Sequence, residues 1–522
     1  MTVRVRFAPS PTGALHLGGL RTALYNYLTA RRLGGTFTLR IEDTDQTRLV
    51  PGSVEDIVDG LRWAGIDFDH GPGVGGPHGS YIQSERLDLY RQYARKLIDA
   101  GSAYRCFCKP EVLAATRERL FKLRSNATYD RTCLHLSDEE VARRVRVGQQ
   151  HVVRLNDTSI PRQEHPTKDL VFGTLQDGHG SLPTDPILLK SDSFPTYHLA
   201  SVVDDHEMKI THVIRGEEWL QSLPLHVDLY AALGLEAPQF AHLPLLLNPD
   251  GSKMSKRKGD VKVSDYIKKG WEPEAVTNWL ALAGWGANNT GHNRSSSQDL
   301  DSLLAVGALT RQQMVQMFDL SSLTHRRSIL DPGKLESLNK HHLQRKVSAS
   351  ESASEDQQKD FDELLSRAER IFRDAYPDSP YLQPKYVAEV IRALVPRISS
   401  LHDLYDPALS AYFFLDPDLT CTAARKLKTT VDPTMYTFVV QAVNHALRQS
   451  PSPASTVDGF REVLRAVQHS GGDMEKALST KDVMNTLRHS LTGSKVGPSV
   501  VEVMTILGPV RCLERLDAVL AS

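Results

Sequence analysis

Several things are scarce in this 522-residue chain, and each scarcity excludes something. Cysteine occurs five times, an odd count and too few for a disulfide framework, so the chain reads as one kept reduced. No stretch of about 18 uninterrupted apolar residues is present, which leaves no candidate for a membrane-spanning helix. An excess of either charge is lacking too. With 62 Lys+Arg against 63 Asp+Glu, any basic surface for a polyanion has to be local. There is no internal repeat, no Walker GxxxxGK[ST] and no G-x-G-x-x-G fingerprint. What remains, 40% apolar and 24% charged residues, is the composition of soluble globular chains, and the length predicts three or four folded units. The N-terminus enters a strand at once and a motif by Ala8, so a signal or transit peptide is expected to be absent from this form.

The first 270 residues alternate apolar runs with helical patterns, which predicts β/α units and a parallel sheet. Val3 to Phe7 and Thr36 to Ile41 read as strands, with an amphipathic helix over Leu20 to Leu33 between them. A more polar block from about Ala103 to Gln176 interrupts the pattern, which resumes at Pro186, and this predicts an insertion in one sheet domain. Asn, Gly and Ser content marks a connection over Asn288 to Leu300, and Ser348 to Asp360 reads as a linker. Beyond Asp360, Val387, Ile391 and Leu394, and later Val500, Val503, Met504 and Leu507, recur at helical steps. The expected division is 1–102 and 186–330 for the two halves of the α/β domain and 103–185 for the insertion. A linker over 331–360 and an all-helical unit over 361–522 follow.

Two elements carry the chemistry. The opening strand runs into Ala8-Pro9-Ser10-Pro11-Thr12-Gly13-Ala14-Leu15-His16-Leu17-Gly18-Gly19 and then a helix. Unpaired N–H groups and the positive end of the helix dipole at such a turn suit a nucleotide phosphate, and His16 can add a donor. Far downstream, Asn248-Pro-Asp-Gly-Ser-Lys253-Met254-Ser255-Lys256-Arg257-Lys258 is a turn-rich loop with four cations in six residues, able to fold over a triphosphate. Either alone could be packing or solvated surface; the pair is specific. In the insertion, Cys106-Phe107-Cys108, twenty-four residues and Cys133-Leu134-His135 could supply a tetrahedral Zn²⁺ site, the alternative being buried thiols and a surface histidine.

These residues resemble the class I aminoacyl-tRNA synthetases, whose signatures are a His-Ile-Gly-His tetrapeptide and a Lys-Met-Ser-Lys-Ser loop. His16-Leu17-Gly18-Gly19 and Lys253-Met254-Ser255-Lys256-Arg257 match each except at the last position. Further matches are to the glutamyl branch: Arg40-Ile41-Glu42-Asp43-Thr44-Asp45, Gly75-Gly76-Pro77-His78-Gly79, Tyr197-His198-Leu199-Ala200, Val202-Val203-Asp204-Asp205-His206 and Ile214-Arg215-Gly216-Glu217-Glu218-Trp219. The resemblance is dense over residues 3 to about 270 and returns at Leu487 to Gly493.

The resemblance implies a Rossmann-type parallel-sheet catalytic domain with an acceptor-arm insertion and a helical anticodon-binding domain. It implies activation of L-glutamate by ATP with Mg²⁺, then transfer to tRNA-Glu, with tRNA-Gln a further candidate. Residue types agree: planar carboxylates call for guanidinium partners, and an ammonium calls for a carboxylate. By resemblance Arg6 and Arg215 hold the carboxylates, Glu42 pairs with the amino group, and Phe7, Ala8, Ser10, Tyr197, His198, Leu199, Ala200 and Ser201 complete the pocket. His16, Lys253 and Lys256 stabilise the transition state, while Gly18, Gly19, Glu218, Leu246 and Ser255 bind ATP. Some glutamyl enzymes carry the same cysteine spacing, with a nearby tyrosine, here Tyr129, as a rival to His135 for a structural zinc. Arg397 is the candidate anticodon reader. The expected form is a monomer with no membrane contact. The Gly18 and Asp45 segments look closest to mitochondrial members, which points to the matrix, with bacterial cytoplasm as the alternative. The competing reading is a tRNA-independent transferase that adenylates a small acid.

Overall fold

The computed structural model describes residues 2–160, 167–175, 179, 182–252, 254, 262–285, 308–348, 354–449, 456–470 and 479–521. The chain divides into two compact units, Met1–Lys268 with Pro273–Pro332, and Lys269–Glu272 with Gly333–Ser522.

In the first unit, strand β1 (Arg4–Phe7) pairs in parallel with β2 (Thr36–Leu39), and β8 (His212–Gly216) with β9 (Gln239–Leu243). Thr211 brings the pairs side by side, its amide donating to Arg4 O at 2.9 Å. Buried on both faces, these strands are runs such as Val5-Arg6-Phe7 rather than strict alternations, as parallel strands covered by helices are. Helix α1 (Leu17–Arg32) crosses between β1 and β2. It begins three residues earlier than the apolar pattern predicts because His16 caps it, and its last turn places Arg31 and Arg32 at the negative end of its dipole.

Helices α2 (Ser53–Trp63) and α3 (Leu87–Asp99) follow, and then the insertion opens. Strand β3 (Ala103–Cys106) pairs antiparallel with β4 (Val152–Leu155), which pairs with β7 (Ile187–Leu189). Between β3 and β4 lie α4 (Pro110–Lys122) and α5 (Asp138–Arg146); the short pair β5 (Lys168–Asp169) and β6 (Gly173–Thr174) comes before β7. Helix α6 (Tyr197–Glu207) returns the chain to the parallel layer.

The second unit is helical. The Val387, Ile391 and Leu394 period becomes a helix over Pro384–Leu394 with all three fully buried. Burying each such side chain contributes roughly 1.5–3 kcal/mol. The later period lies in Val500–Ala521, which breaks at Gly508, whose φ of 72° together with Pro509 behind it ends one helical run and starts another. The fold departs from expectation at 331–360. Pro332–Val347 is a helix, and another runs from Glu355 to Ala375 behind a Ser354/Gln357 capping box. Its exposed, polar first turns have the composition of a linker while the capping box starts a helix. The expected connection over Asn288 to Leu300 lies outside the described residues.

Candidate active site

The loop after β1 is pinned from two sides. Leu15 N donates to Asp56 Oδ2 at 2.7 Å, and Val263 N donates to Leu15 O at 2.9 Å. His16 closes the loop as the helix cap, its Nδ1 accepting from Gly19 N at 3.0 Å. That acceptor role places the ring proton on Nε2 and leaves it as a donor. A Cβ on Gly18 would stand 3.2 Å from His16 Nδ1, so glycine there leaves the ring its place.

Around this loop lies a cavity of about 540 Å³. Arg6, Phe7, Ala8, Ser10, Glu42, Tyr197 and Arg215 line it, as do His16, Gly18, Gly19, Glu218, Leu246 and Met254. The structure therefore brings together most of the residues that the motifs single out. His198, Leu199, Ala200 and Ser201 are not on the cavity wall. Helix α6 is buried from Leu199 to Asp205, with Leu199 and Ala200 in the core, while the half-buried His198 lies against Trp219 and His226. Lys253, Ser255 and Lys256 lie outside the described residues. Of their described neighbours, Met254 lines the cavity and its N donates to Leu246 O at 3.4 Å, and Lys262 bridges to His16.

The wall is electrically structured. Arg6, 2% exposed, donates through Nε to Asp205 Oδ1 at 3.0 Å and through Nη2 to Oδ2 at 3.4 Å. Arg40, fully buried, donates to the same Asp205 at 2.7 Å and to Glu42 at 3.1 Å. Asp204 receives Arg86 at 2.8 Å. Burial raises the Asp205 pKa, but the Arg40 and Arg6 charges more than offset it and hold the group below its ordinary value. For Glu42 burial prevails over Arg40 and its pKa is raised. A substrate ammonium beside Glu42 would favour its charged form.

Arg215 is held differently. Its Nε donates to His242 Nε2 at 2.9 Å and its Nη1 to Tyr197 OH at 3.0 Å, with His226 Nδ1 at 3.3 Å. Trp219 stacks on Tyr197 at 3.8 Å. Burial, reinforced by Arg215, pulls His198 down to about 4 and His226 well below its ordinary value. In the sequence Asp204 and Asp205 stand in a family-like stretch with no role of their own, and nothing there points to Asp169, His226 or His242. No local spacing signals them, since their partners lie 11 to 199 positions away.

In the insertion, the sulfurs of Cys106, Cys108 and Cys133 lie within 4.8 Å of one another, with Cys108 and Cys133 3.5 Å apart. The Tyr129 hydroxyl sits 3.4 Å from Cys106 Sγ and 3.5 Å from Cys108 Sγ, and accepts from Cys133 N at 3.1 Å. His135 is exposed and is not part of this cluster, contrary to the spacing. It shares a turn with Cys133, where residues two apart need not face one way. Hydrogen bonds from Cys133 and Tyr129 pull the Cys106 thiol down, and the same contact pushes Cys133 up. Arg397, in the second unit, donates to Ala393 O at 2.7 Å and to Glu502 at 3.0 Å.

The family model for the catalytic domain of class I tRNA synthetases (E and Q) matches residues 2–336, and one for an anticodon binding domain matches 363–520. The chain belongs to the class I tRNA synthetases. Among similar proteins, a glutamate–tRNA ligase of Chloroherpeton thalassium is 37% identical, the match covering 99% of this chain and 97% of that one. One from Clostridioides difficile is 36% identical over 99% and 98%. The crystal structure of a glutamate tRNA ligase from Elizabethkingia meningosepticum, in complex with its amino acid, superposes with a TM-score of 0.82 at 31% identity over the whole of both chains.

Proposed function

We propose that this chain is a glutamate–tRNA ligase of the bacterial type. One observation carries the substrate reading: a single cavity has two buried guanidinium groups, Arg6 and Arg215, and the Glu42 carboxylate on its wall, beside the His16 helix start. That is the complement of an amino acid with two carboxylates and one ammonium, placed next to a phosphate site. An oxygen of the glutamate α-carboxylate attacks the ATP α-phosphorus, and the bond to pyrophosphate breaks. The terminal ribose hydroxyl of tRNA-Glu then attacks the acyl carbon and AMP leaves. The chain has to position reactants and stabilise charge, tasks that fall to His16, Lys253 and Lys256, with Mg²⁺ arriving on ATP. Gly18, Gly19, Glu218, Leu246 and Ser255 receive the nucleotide.

The thiol cluster fits a structural zinc. Tetrahedral Zn–S bonds near 2.3 Å set sulfurs about 3.8 Å apart, close to the Cys108–Cys133 spacing. Cys106, Cys108 and Cys133 supply thiolates and Tyr129 the fourth donor, in preference to His135. Metal analysis of the purified protein, with Cys108→Ser as control, tests this; one zinc per chain lost in the variant is expected.

In this reading Arg397 is an anticodon contact, the chain acts as a monomer, and tRNA-Gln is an additional substrate to be tested. The bacterial origin of the compared relatives supports a cytoplasmic setting and lends nothing to the mitochondrial one. The test is charging of tRNA-Glu and tRNA-Gln transcripts with glutamate, ATP and Mg²⁺, with Lys256→Ala as control. Charging that the variant loses supports the proposal; adenylate formation with no tRNA charged would favour a tRNA-independent transferase.

A further inference from the structure

Arg6 and Arg215 face the same cavity but are held by opposite kinds of partner. Arg6 is paired with a carboxylate, Asp205. Among the described residues no carboxylate lies within ion-pair distance of Arg215, although it is 5% exposed. Its supports are neutral groups, two of them imidazoles whose hydrogen bonds fix one proton arrangement.

Because Arg215 Nε–H points at His242 Nε2, that nitrogen carries a lone pair and the ring proton sits on Nδ1. Nδ1–H then donates to Asp169 Oδ2 at 2.7 Å. Asp169 cannot turn away, because its Oδ1 accepts from Val171 N and Phe172 N, both at 2.9 Å, and its Oδ2 from His242 N at 3.1 Å. On the other side, His226 Nδ1 accepts from Arg215 Nη1, which leaves its proton on Nε2 for His198 Nδ1 at 3.1 Å. With Tyr197 OH and Trp219 O, four of the five guanidinium N–H groups are engaged.

We infer that Asp169, His242 and His226 are positioning residues that fix Arg215 through neutral imidazoles, so that its charge stays whole for a substrate carboxylate. The inference rests on reading Arg215 as a glutamate contact. Burial keeps the rings neutral, holding His242 down at about 4 despite Asp169. The Asp169 charge is roughly 7 Å from Arg215 once the ring is crossed, where the Coulomb attraction is little more than half its 4 Å value. A carboxylate in contact would align Arg215 equally well but would compete with the substrate for it. A neutral acceptor aligns without competing, and the buried charge then disfavours an uncharged amide in the same position.

The test uses the full chain in the charging assay, with KM for glutamate and for ATP measured separately. His242→Leu removes the acceptor and is expected to raise the glutamate KM at least tenfold while the ATP KM stays within twofold. His242→Gln, which keeps an acceptor oxygen, is expected to recover part of the loss. In an Arg215→Lys background, which has no Nε–H, His242→Leu is expected to change the glutamate KM less than twofold. Equal rises in both KM values, or effects that add in the double variant, would overturn the inference. Should Arg215→Lys alone leave the glutamate KM unchanged, the reading of Arg215 as a substrate contact fails, and the inference with it. If His242→Leu does not fold, nitrogen NMR of histidine-labelled wild type decides, with the His242 signals assigned through His242→Gln. A neutral Nδ1–H tautomer is expected at pH 7, and an imidazolium or the opposite tautomer would overturn it.

Discussion

Asp205→Asn should unfold the first unit more readily than any isosteric surface change. The carboxylate is buried between two guanidinium groups, and the set to which it belongs is closed: Arg6, Arg40 and Arg86 against Glu42, Asp204 and Asp205, all no more than 9% exposed. Three positive and three negative charges cancel. The amide deletes one negative charge and turns an N–H donor towards Arg6 or Arg40, which are donors themselves. Removing one partner of a buried ion pair costs about 3–5 kcal/mol, because the remaining charge keeps its desolvation penalty. For a unit of this size, with an unfolding entropy of about 2.1 cal/mol/K per residue, that is a fall in midpoint of roughly 4–7 °C. Four of the five tryptophans, Trp63, Trp219, Trp279 and Trp285, belong to the first unit, so their fluorescence during urea unfolding reports mainly on it. Arg6 also loses its two-point support, so the glutamate KM should rise together with the loss of stability. A cooperative transition displaced by less than about 1 kcal/mol would refute the charge balance argued here.

Acid should weaken the first unit. An unfolded histidine takes its proton near pH 6.5, whereas the folded His242 and His198 stay neutral until about 4, so between those values the unfolded state binds more protons and stability falls as pH falls. The slope is up to about 1.4 kcal/mol per pH unit for each ring, and a tryptophan-detected midpoint that is flat from pH 7 to 5 would contradict it. In the second unit, Phe372→Ala empties a fully buried site whose ring lies 4.4 Å from that of Phe414, tilted by 37°, and should cost about 3–5 kcal/mol in calorimetric unfolding. Gly35→Ala should cost more than about 2 kcal/mol, because the added carbon would run into the Val3 carbonyl, which already accepts from Thr36 N at 2.9 Å. Denaturant midpoints measure it, and a change within 0.5 kcal/mol, roughly the surface range, would speak against it.

Motif-bearing stretches were legible because their chemistry is local. The turn from Arg6 to Gly19 encodes strand, loop, cap and helix within fourteen positions, and the structure departs from the reading only where His16 starts the helix early. The helical third was legible from the three- and four-residue recurrence at Val387, Ile391 and Leu394. What stayed hidden is whatever depends on distant partners. Asp169 meets His242 across 73 positions and Arg6 meets Asp205 across 199, and neither pairing leaves a local pattern. Ser348 to Asp360 misled because a helix's exposed first turns and a linker share one composition, and only the capping pair distinguishes them. His135 lies outside the thiol cluster because spacing counts positions along the chain, whereas the hydroxyl beside the thiols is that of Tyr129, four residues before Cys133.

The pairing of β3 with β4 has an evolutionary reading. Cys106 and Val152 face each other across the ladder, so everything between them leaves and returns at one point, about 5 Å apart. A turn of two residues would close the same hairpin. The segment is therefore an exchangeable cassette: its length and contents can drift, grow or be lost while the strands beneath keep their register. Cys133 Sγ accepts from Phe107 N at the foot of the stem, while Arg131 pairs with Asp157 and Asp185 and Thr128 exchanges two hydrogen bonds with Thr184. The cassette is thus moored to its own stem and to the stretch just beyond it, so a replacement has to bring only those few anchor points.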